Sequence, residues 1–118
     1  MARFISIMNH VLTAEQLEQA KKLGEVTEVA FPNVSPYATS NEVEKIGDEL
    51  ISQISPETGD TIQVAGEPCL TCYVVTKLKE SGHKVVTSTT ERVSHEEVLA
   101  DGSVRKTNVF RFIQFREF

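Results

Sequence analysis

The chain has no run of apolar residues long enough to cross a bilayer, and its opening Met1-Ala2-Arg3 is not followed by the apolar core of a secretory leader. A cytoplasmic protein without membrane contact is the expectation. Only two cysteines occur, close together in sequence, which excludes a disulfide framework of the secreted kind. Positive charge is not in excess either: 12 Lys and Arg against 17 Asp and Glu leave a net charge of -5. Nonspecific binding to long DNA or RNA, which depends on many Lys and Arg contacts to phosphate, is therefore not expected. There is no G-x-G-x-x-G after the first apolar run and no G-x-x-x-x-G-K-[ST] anywhere, so a dinucleotide oxidoreductase and a P-loop phosphotransferase both lack their signature. Internal repeats and low-complexity segments are also absent.

What the chain does contain is 118 residues, 40% of them hydrophobic, enough for one core and too few for two. Phe4 to Met8 reads as a buried strand that runs straight into the polar pair Asn9-His10 and then a helix start. Thr13 and Gln16 have capping-box spacing, Leu12 and Leu17 form a hydrophobic staple around it, and Gly24 is placed to end the helix. A second strand is expected over Val26 to Phe31. After a loop containing Pro36 and Tyr37, a helix capped by Ser40 or Asn41 buries Val43, Ile46, Leu50, Ile51 and Ile54. Thr61 to Ala65 is a third strand, ending at Gly66-Glu67-Pro68 and followed by a helical pattern through Leu78 that stops at Gly82. Lys84 to Thr87 is a fourth, ending in the polar cluster Ser88-Thr89-Thr90-Glu91-Arg92.

Strands alternating with helices imply βαβ units, a mostly parallel sheet and right-handed crossovers. The expected fold is a single Rossmann-like α/β domain over residues 1–118: a βαβ core at 1–92 and an antiparallel β-hairpin at 93–118. The hairpin turns at Ala100-Asp101-Gly102-Ser103. Its second arm, with Val109, Phe110, Phe112, Ile113 and Phe115, is too apolar to stand alone. It must extend the sheet, cover a face or form an oligomer interface.

In open α/β sheets ligands collect beyond the carboxyl ends of the strands. Three junctions should meet there: Asn9-His10, Gly66-Glu67 through Thr71, and Ser88 to Arg92 with Thr89 and Thr90. Together they supply an imidazole, a guanidinium, a carboxylate, hydroxyls and helix-end amides, a set suited to phosphate. Singly, Asn9 and Thr71 are most simply caps or turn residues; the convergence of three junctions favours a site. Cys69-Leu70-Thr71-Cys72 has the spacing of a redox pair or half a metal site, but His10, His83 and His95 are scattered. The plainer reading is two small buried residues packing a helix onto the sheet. Pro68-Cys69-x-x-Cys72 matches part of a zinc-deaminase signature, yet its His-x-Glu element, His95-Glu96-Glu97, lies downstream instead of upstream. His83 and His95 read as solvated, and Glu42, Glu44, Asp48 and Glu49 as the solvated face of a helix.

Asn9-His10-x-Leu12-Thr13-x-x-Gln16, Ala20-Lys21-x-Leu23-Gly24, the Gly66-Glu67 turn, Thr89-Thr90-x-Arg92, Asp101-Gly102-Ser103-Val104 and the terminal Phe115-Arg116-Glu117-Phe118 occur in one order along nearly the whole chain. In this the sequence resembles a small CRISPR-associated Csx family of type III systems, regarded as stand-alone ring nucleases. It departs from that pattern at Gly66-Glu67-Pro68-Cys69, where a Gly-Asp-aromatic-Gly turn is expected. The resemblance implies a CARF-like fold, a homodimer, and cleavage of cyclic oligoadenylate, most simply the four-membered ring, without metal or other cofactor. Each ribose 2′-hydroxyl would attack its neighbouring phosphorus. On that reading Asn9 orients the attack, His10 is the acid or base, Arg92 stabilises the phosphorane, and Gly66, Thr71, Ser88, Thr89 and Thr90 cradle phosphate. Glu67 is a base, holds Arg92 or contacts an adenine. The rivals are a sponge or sensor that binds the ring without cutting it, and a thiol-redox or metal protein using Cys69 and Cys72.

Overall fold

The computed structural model describes residues 2–118. They run β1 (Arg3–Ile7), α1 (Ala14–Leu23), β2 (Glu25–Val29), α2 (Ser40–Ile54), β3 (Thr61–Val64), α3 (Pro68–Glu80), β4 (Lys84–Val98) and β5 (Val104–Glu117). One mixed sheet results, in the order β2-β1-β3-β4-β5. The first four strands are parallel and β5 is antiparallel to β4.

Side-chain alternation divides the core between the two faces of this sheet. Ile5, Ile7, Ile62, Val64 and Val85 pack with Val43, Leu50 and Ile54 of α2 and Leu70, Val74 and Leu78 of α3. Phe4, Met8 and Val86 pack on the opposite face with Ala20 of α1 and Leu12 just ahead of it, and Phe115 of β5 joins them. The tilted Phe4 and Phe115 rings are 4.8 Å apart. Helices therefore cover both faces, with α1 alone on one and α2 and α3 together on the other.

Two close approaches depend on a missing side chain. Gly24 is extended, at φ 163, so no left-handed backbone requires it. A Cβ there would lie 2.7 Å from the Ala2 carbonyl oxygen, and glycine lets the α1 end pass against the start of β1. In the same way a Cβ on Gly47 of α2 would fall 2.5 Å from the Tyr73 ring of α3.

The capping box of α1 forms as read: Thr13 Oγ1 accepts from the Gln16 amide and Gln16 Oε1 from the Thr13 amide. Several boundaries differ. The cap of α2 is Thr39, whose hydroxyl accepts from the Glu42 amide, and not Ser40 or Asn41. β2 closes at Val29, although the Phe31 amide still donates to the Met8 carbonyl.

The largest difference is β4, which does not end at Thr87. It continues to Val98, so the polar cluster Ser88 to Arg92 is strand and residue 92 falls inside one unbroken element. Its outer part pairs with β5 down to Val98↔Val104, with a bulge between Thr89 and Thr90. Polar residues read as a strand end because strands in a core are apolar; beyond the core both ribbon faces meet water, and β5 supplies the ladder bonds. The ribbon projects as an arm. A 118-residue globule has a radius of gyration of about 13.5 Å by size scaling, whereas this chain reaches 17.6 Å with extents of 57 × 39 × 19 Å.

Candidate functional site

The order β2-β1-β3 makes a switch point. From β1 the chain crosses by α1 on one face to β2; from β3 it crosses by α3 on the other face to β4. The loops after β1 and β3 thus part to opposite sides and open a crevice at the carboxyl edge, the place where such sheets bind ligands.

Asn9 and His10 stand at this crevice. β1 is held to its end, because the Met8 amide donates to Val29 O at 3.2 Å and the Ala65 amide to Ile7 O at 3.0 Å. The loop is then anchored by the Leu12 amide on Glu28 Oε1 at 2.8 Å and by the Thr13 cap. Asn9 and His10 are exposed and take no part in these bonds, so backbone bonding does not explain the imidazole. Extending the registers Ile7↔Val64 and Gln63↔Val86 past the strand ends puts Asn9, Gly66 and Thr89 in one row. Arg92 is exposed, three residues farther out on the arm, or about 10 Å at the rise of a strand. It stands opposite Phe110. The three segments do share an edge, but Arg92 overhangs it.

Gly66 and Glu67 have local duties. A Cβ on Gly66 would come within 2.5 Å of the Phe31 ring, which is buried against this turn. Glu67 is the N-cap of α3: its two carboxylate oxygens accept from the Cys69 amide at 2.9 Å and the Leu70 amide at 2.8 Å. Hydrogen bonds from the Leu70 and then the Cys69 amide hold its carboxyl below the usual range, which weakens it as a base. The amides beyond Gly66 that sequence reasoning assigned to phosphate are therefore occupied by the chain's own carboxylate. One turn on, Thr71 Oγ1 is buried without a partner among the described residues.

Ser88 faces inward, into a polar line under α1. Gln16 Nε2 donates to Ser88 Oγ at 3.0 Å, Ser88 Oγ donates to Gln63 Oε1, and Gln63 Nε2 donates to Ser6 Oγ at 2.9 Å. Thr89 Oγ1 donates to the Gln114 carbonyl at 3.2 Å, across the bulge. Thr90 instead lines a groove of about 580 Å³ between the first turn of α1 and the arm, walled by Gln16, His95, Phe110 and Phe112. These aromatic rings and His95 were not assigned to the site from sequence. Their signal was present in the apolar second arm, but only the overhang of β4 brings them beside α1. Within the arm Arg111 is paired across the two strands with Glu91 at 3.2 Å.

Cys69 and Cys72 are exposed free thiols, not the buried packing residues expected. Leu70, Val74 and Leu78 take the inward stripe of α3 and leave both cysteines on its outer side. They border a second groove, of about 560 Å³, between α2 and α3. There the Tyr73 hydroxyl donates to Asp48 at 2.7 Å, and that bond, with burial second, pushes the phenol up to about 12. No group of three or more His, Cys, Asp or Glu among the described residues is arranged to hold a metal ion. No helix among them is long and apolar enough to cross a membrane.

Fold and crevice define an α/β protein with a five-stranded, mostly parallel sheet and a candidate ligand site at its carboxyl edge. Residues 2–116 match the family model described as the Uncharacterized protein MJ1673 family, and the chain belongs to that family. No curated protein matches it.

Proposed function

We propose that this protein is a ring nuclease: a cytoplasmic, CARF-like homodimer of the Rossmann-like class that cleaves cyclic oligoadenylate, most simply the tetra-adenylate, and so ends type III CRISPR signalling. The observation that carries the reading is the exposed Asn9-His10 pair at the switch point, where β1 and β3 end beside each other and β4 runs on past them toward Arg92. The sequence resemblance supplies the substrate.

In this reading a ribose 2′-hydroxyl attacks the adjacent phosphorus, the bond to the 5′-oxygen breaks, and a 2′,3′-cyclic phosphate is left. His10, whose side chain is exposed and unencumbered, takes the hydroxyl proton or protonates the leaving oxygen. Asn9 orients the hydroxyl. Arg92 reaches back from the arm to the phosphorane, with Thr89, Thr90 and the Thr71 hydroxyl lining the cradle, while Ser88 holds the floor through Gln16 and Gln63. Glu67 serves as the cap of α3 more readily than as a base, since two amides stabilise its charge. That engagement also favours the alternative of a sponge: with Glu67 committed, His10 is left to act alone as acid or base, and equal binding of ring and transition state sequesters without cutting.

Incubation with cyclic tetra-adenylate, and separately the hexa-adenylate, in EDTA tests both. Linear di-adenylate with a 2′,3′-cyclic phosphate is expected, with loss in His10→Ala and Arg92→Ala. Intact ring recovered from the protein after denaturation makes it a sponge, and unaltered single-turnover cleavage by both variants refutes the roles given to these side chains.

A further inference from the structure

Cysteine is among the most buried residue types, and a free, solvent-facing thiol is a chemical liability unless it is used. This chain has two cysteines, and both are exposed on the first turns of one helix. We propose that Cys69 and Cys72 form a reversible thiol–disulfide couple, closed by a small-molecule disulfide such as oxidised glutathione.

The spacing allows closure, with a consequence. On an α-helix the Cβ atoms of residues i and i+3 lie about 5–6 Å apart, whereas a disulfide needs roughly 3.5–4.5 Å. Tightening the turn toward 3₁₀ geometry brings i over i+3 and closes that gap. The first turn of α3 is the place where this distorts least, because Pro68 at its start has no amide to lose and the turn is held mainly by the Glu67 cap.

The exchange balances in two steps. The Cys72 thiolate attacks one sulfur of the external disulfide, forming a mixed disulfide and expelling one thiolate, which takes up a proton from solvent. Cys69 then gives its proton to solvent and attacks the Cys72 sulfur, expelling the second thiolate, also protonated by solvent. Two protein thiols are oxidised to one disulfide, and one external disulfide is reduced to two thiols. Cys72 attacks first, because a hydrogen bond to Glu67 and the charge of that carboxylate hold the proton on Cys69.

Closure also reaches the candidate site. The cap consists of the Cys69 and Leu70 amides on the Glu67 carboxylate, and the tightened turn draws both away from it. The carboxylate is then released toward the crevice beside Gly66. Both the chemistry and this release are testable without any nucleotide, so they stand or fall apart from the nuclease reading.

The experiment equilibrates the whole chain with mixtures of reduced and oxidised glutathione, quenches with iodoacetamide and weighs it. Expected are loss of two hydrogens in the oxidised form, protection of both thiols, reversal by a dithiol reductant, and a glutathione adduct trapped on Cys72 in the Cys69→Ser variant. Faster hydrogen exchange at the Cys69 and Leu70 amides should accompany closure. Two thiols alkylated at every ratio, a stable mixed disulfide in the wild type, or chain-to-chain crosslinks overturn the couple; unchanged exchange at the two amides in the closed form overturns the release of Glu67.

Discussion

Gly66→Ala separates two reasons for a glycine at the crevice. If Gly66 is there so that an anion can approach the backbone, alanine should harm binding and little else. The geometry instead puts the Phe31 ring where a Cβ would go: three ring atoms lie at 2.5 Å, well inside van der Waals contact, and Phe31 is only 5% exposed and has nowhere to retreat. Overpacking of this kind costs about 1–3 kcal/mol. Taking about 2 kcal/mol, and about 4 °C per kcal/mol for a chain of this size, the melting temperature should fall by roughly 8 °C. Phe31→Leu alone leaves a void and costs on the order of 1–2 kcal/mol. The double variant relieves the clash, so urea unfolding should give a coupling of about 1 kcal/mol or more in favour of the pair. Additivity within about 0.5 kcal/mol, or a Gly66→Ala protein as stable as wild type, would refute the packing argument. Cyclic tetra-adenylate binding by the stable double variant then reports on backbone approach alone.

Removing the charge of Asp60 should cost about 3 kcal/mol, or roughly 12 °C, because its buried carboxylate takes bonds from the Arg3 guanidinium at 2.8 and 3.2 Å and from the Arg3 and Glu57 amides. Burial alone would raise its pKa, but the Glu57 and Arg3 amides and then the guanidinium outweigh burial and lower it. A depressed carboxyl stabilises above its unfolded value, near 3.8, and loses that contribution as pH falls through the folded value. The gap between wild type and Asp60→Asn should therefore be full at neutral pH and narrow in acid, as thermal unfolding across pH will show. Gln63→Leu should lose about 2–4 kcal/mol in urea unfolding, since the buried Ser6 and the half-buried Ser88 each lose a partner; a loss under about 1 kcal/mol would mean that the line is replaced without strain. Arg92 and Phe110 face each other, so an Asn-Gly turn in place of residues 93–109 should close a shorter hairpin. That chain should keep the wild-type far-ultraviolet spectrum, and its scattering radius should drop toward about 13 Å; an unfolded product would show that the arm supports the core.

Much of the fold is legible locally. Thr13 with Gln16 marks a helix start because both partners of the box lie within four residues, and Asp101-Gly102 marks a turn because Gly102 adopts φ 88 and Asp101 accepts from the Ser103 amide. The extent of β4 is not legible in that way. Ser88 to Arg92 has the composition of a loop, and only pairing with the distant residues Phe110 to Phe115 makes it strand. Glu67 is hidden for a different reason: glutamate is not a favoured cap, and its reach to Cys69 and Leu70 depends on Pro68 starting the helix. The exposure of the cysteines could have been read, since Leu70, Val74 and Leu78 fix the phase of α3 and turn positions 69 and 72 outward.

The buried line from Ser6 to Gln16 explains why the crevice keeps its shape although its rim is polar and exposed. Ser6 and Gln63 are register partners on β1 and β3, and Ser88 lies where β4 leaves the core. Gln63 joins the three strands because its amide offers an oxygen to one side and a nitrogen to the other. Gln16 then joins the strands to α1, and it is also the residue that closes the α1 capping box on the Thr13 amide. One side chain thus sets where the helix begins and where the arm departs. Apolar residues in this line would pack as well but would leave α1 free to slide along the sheet; fully paired polar groups bond in one arrangement only. The loop carrying Asn9 and His10 ends at that capping box, so its position relative to Thr89 and Arg92 is fixed by the floor beneath it together with the bond from the Leu12 amide to Glu28.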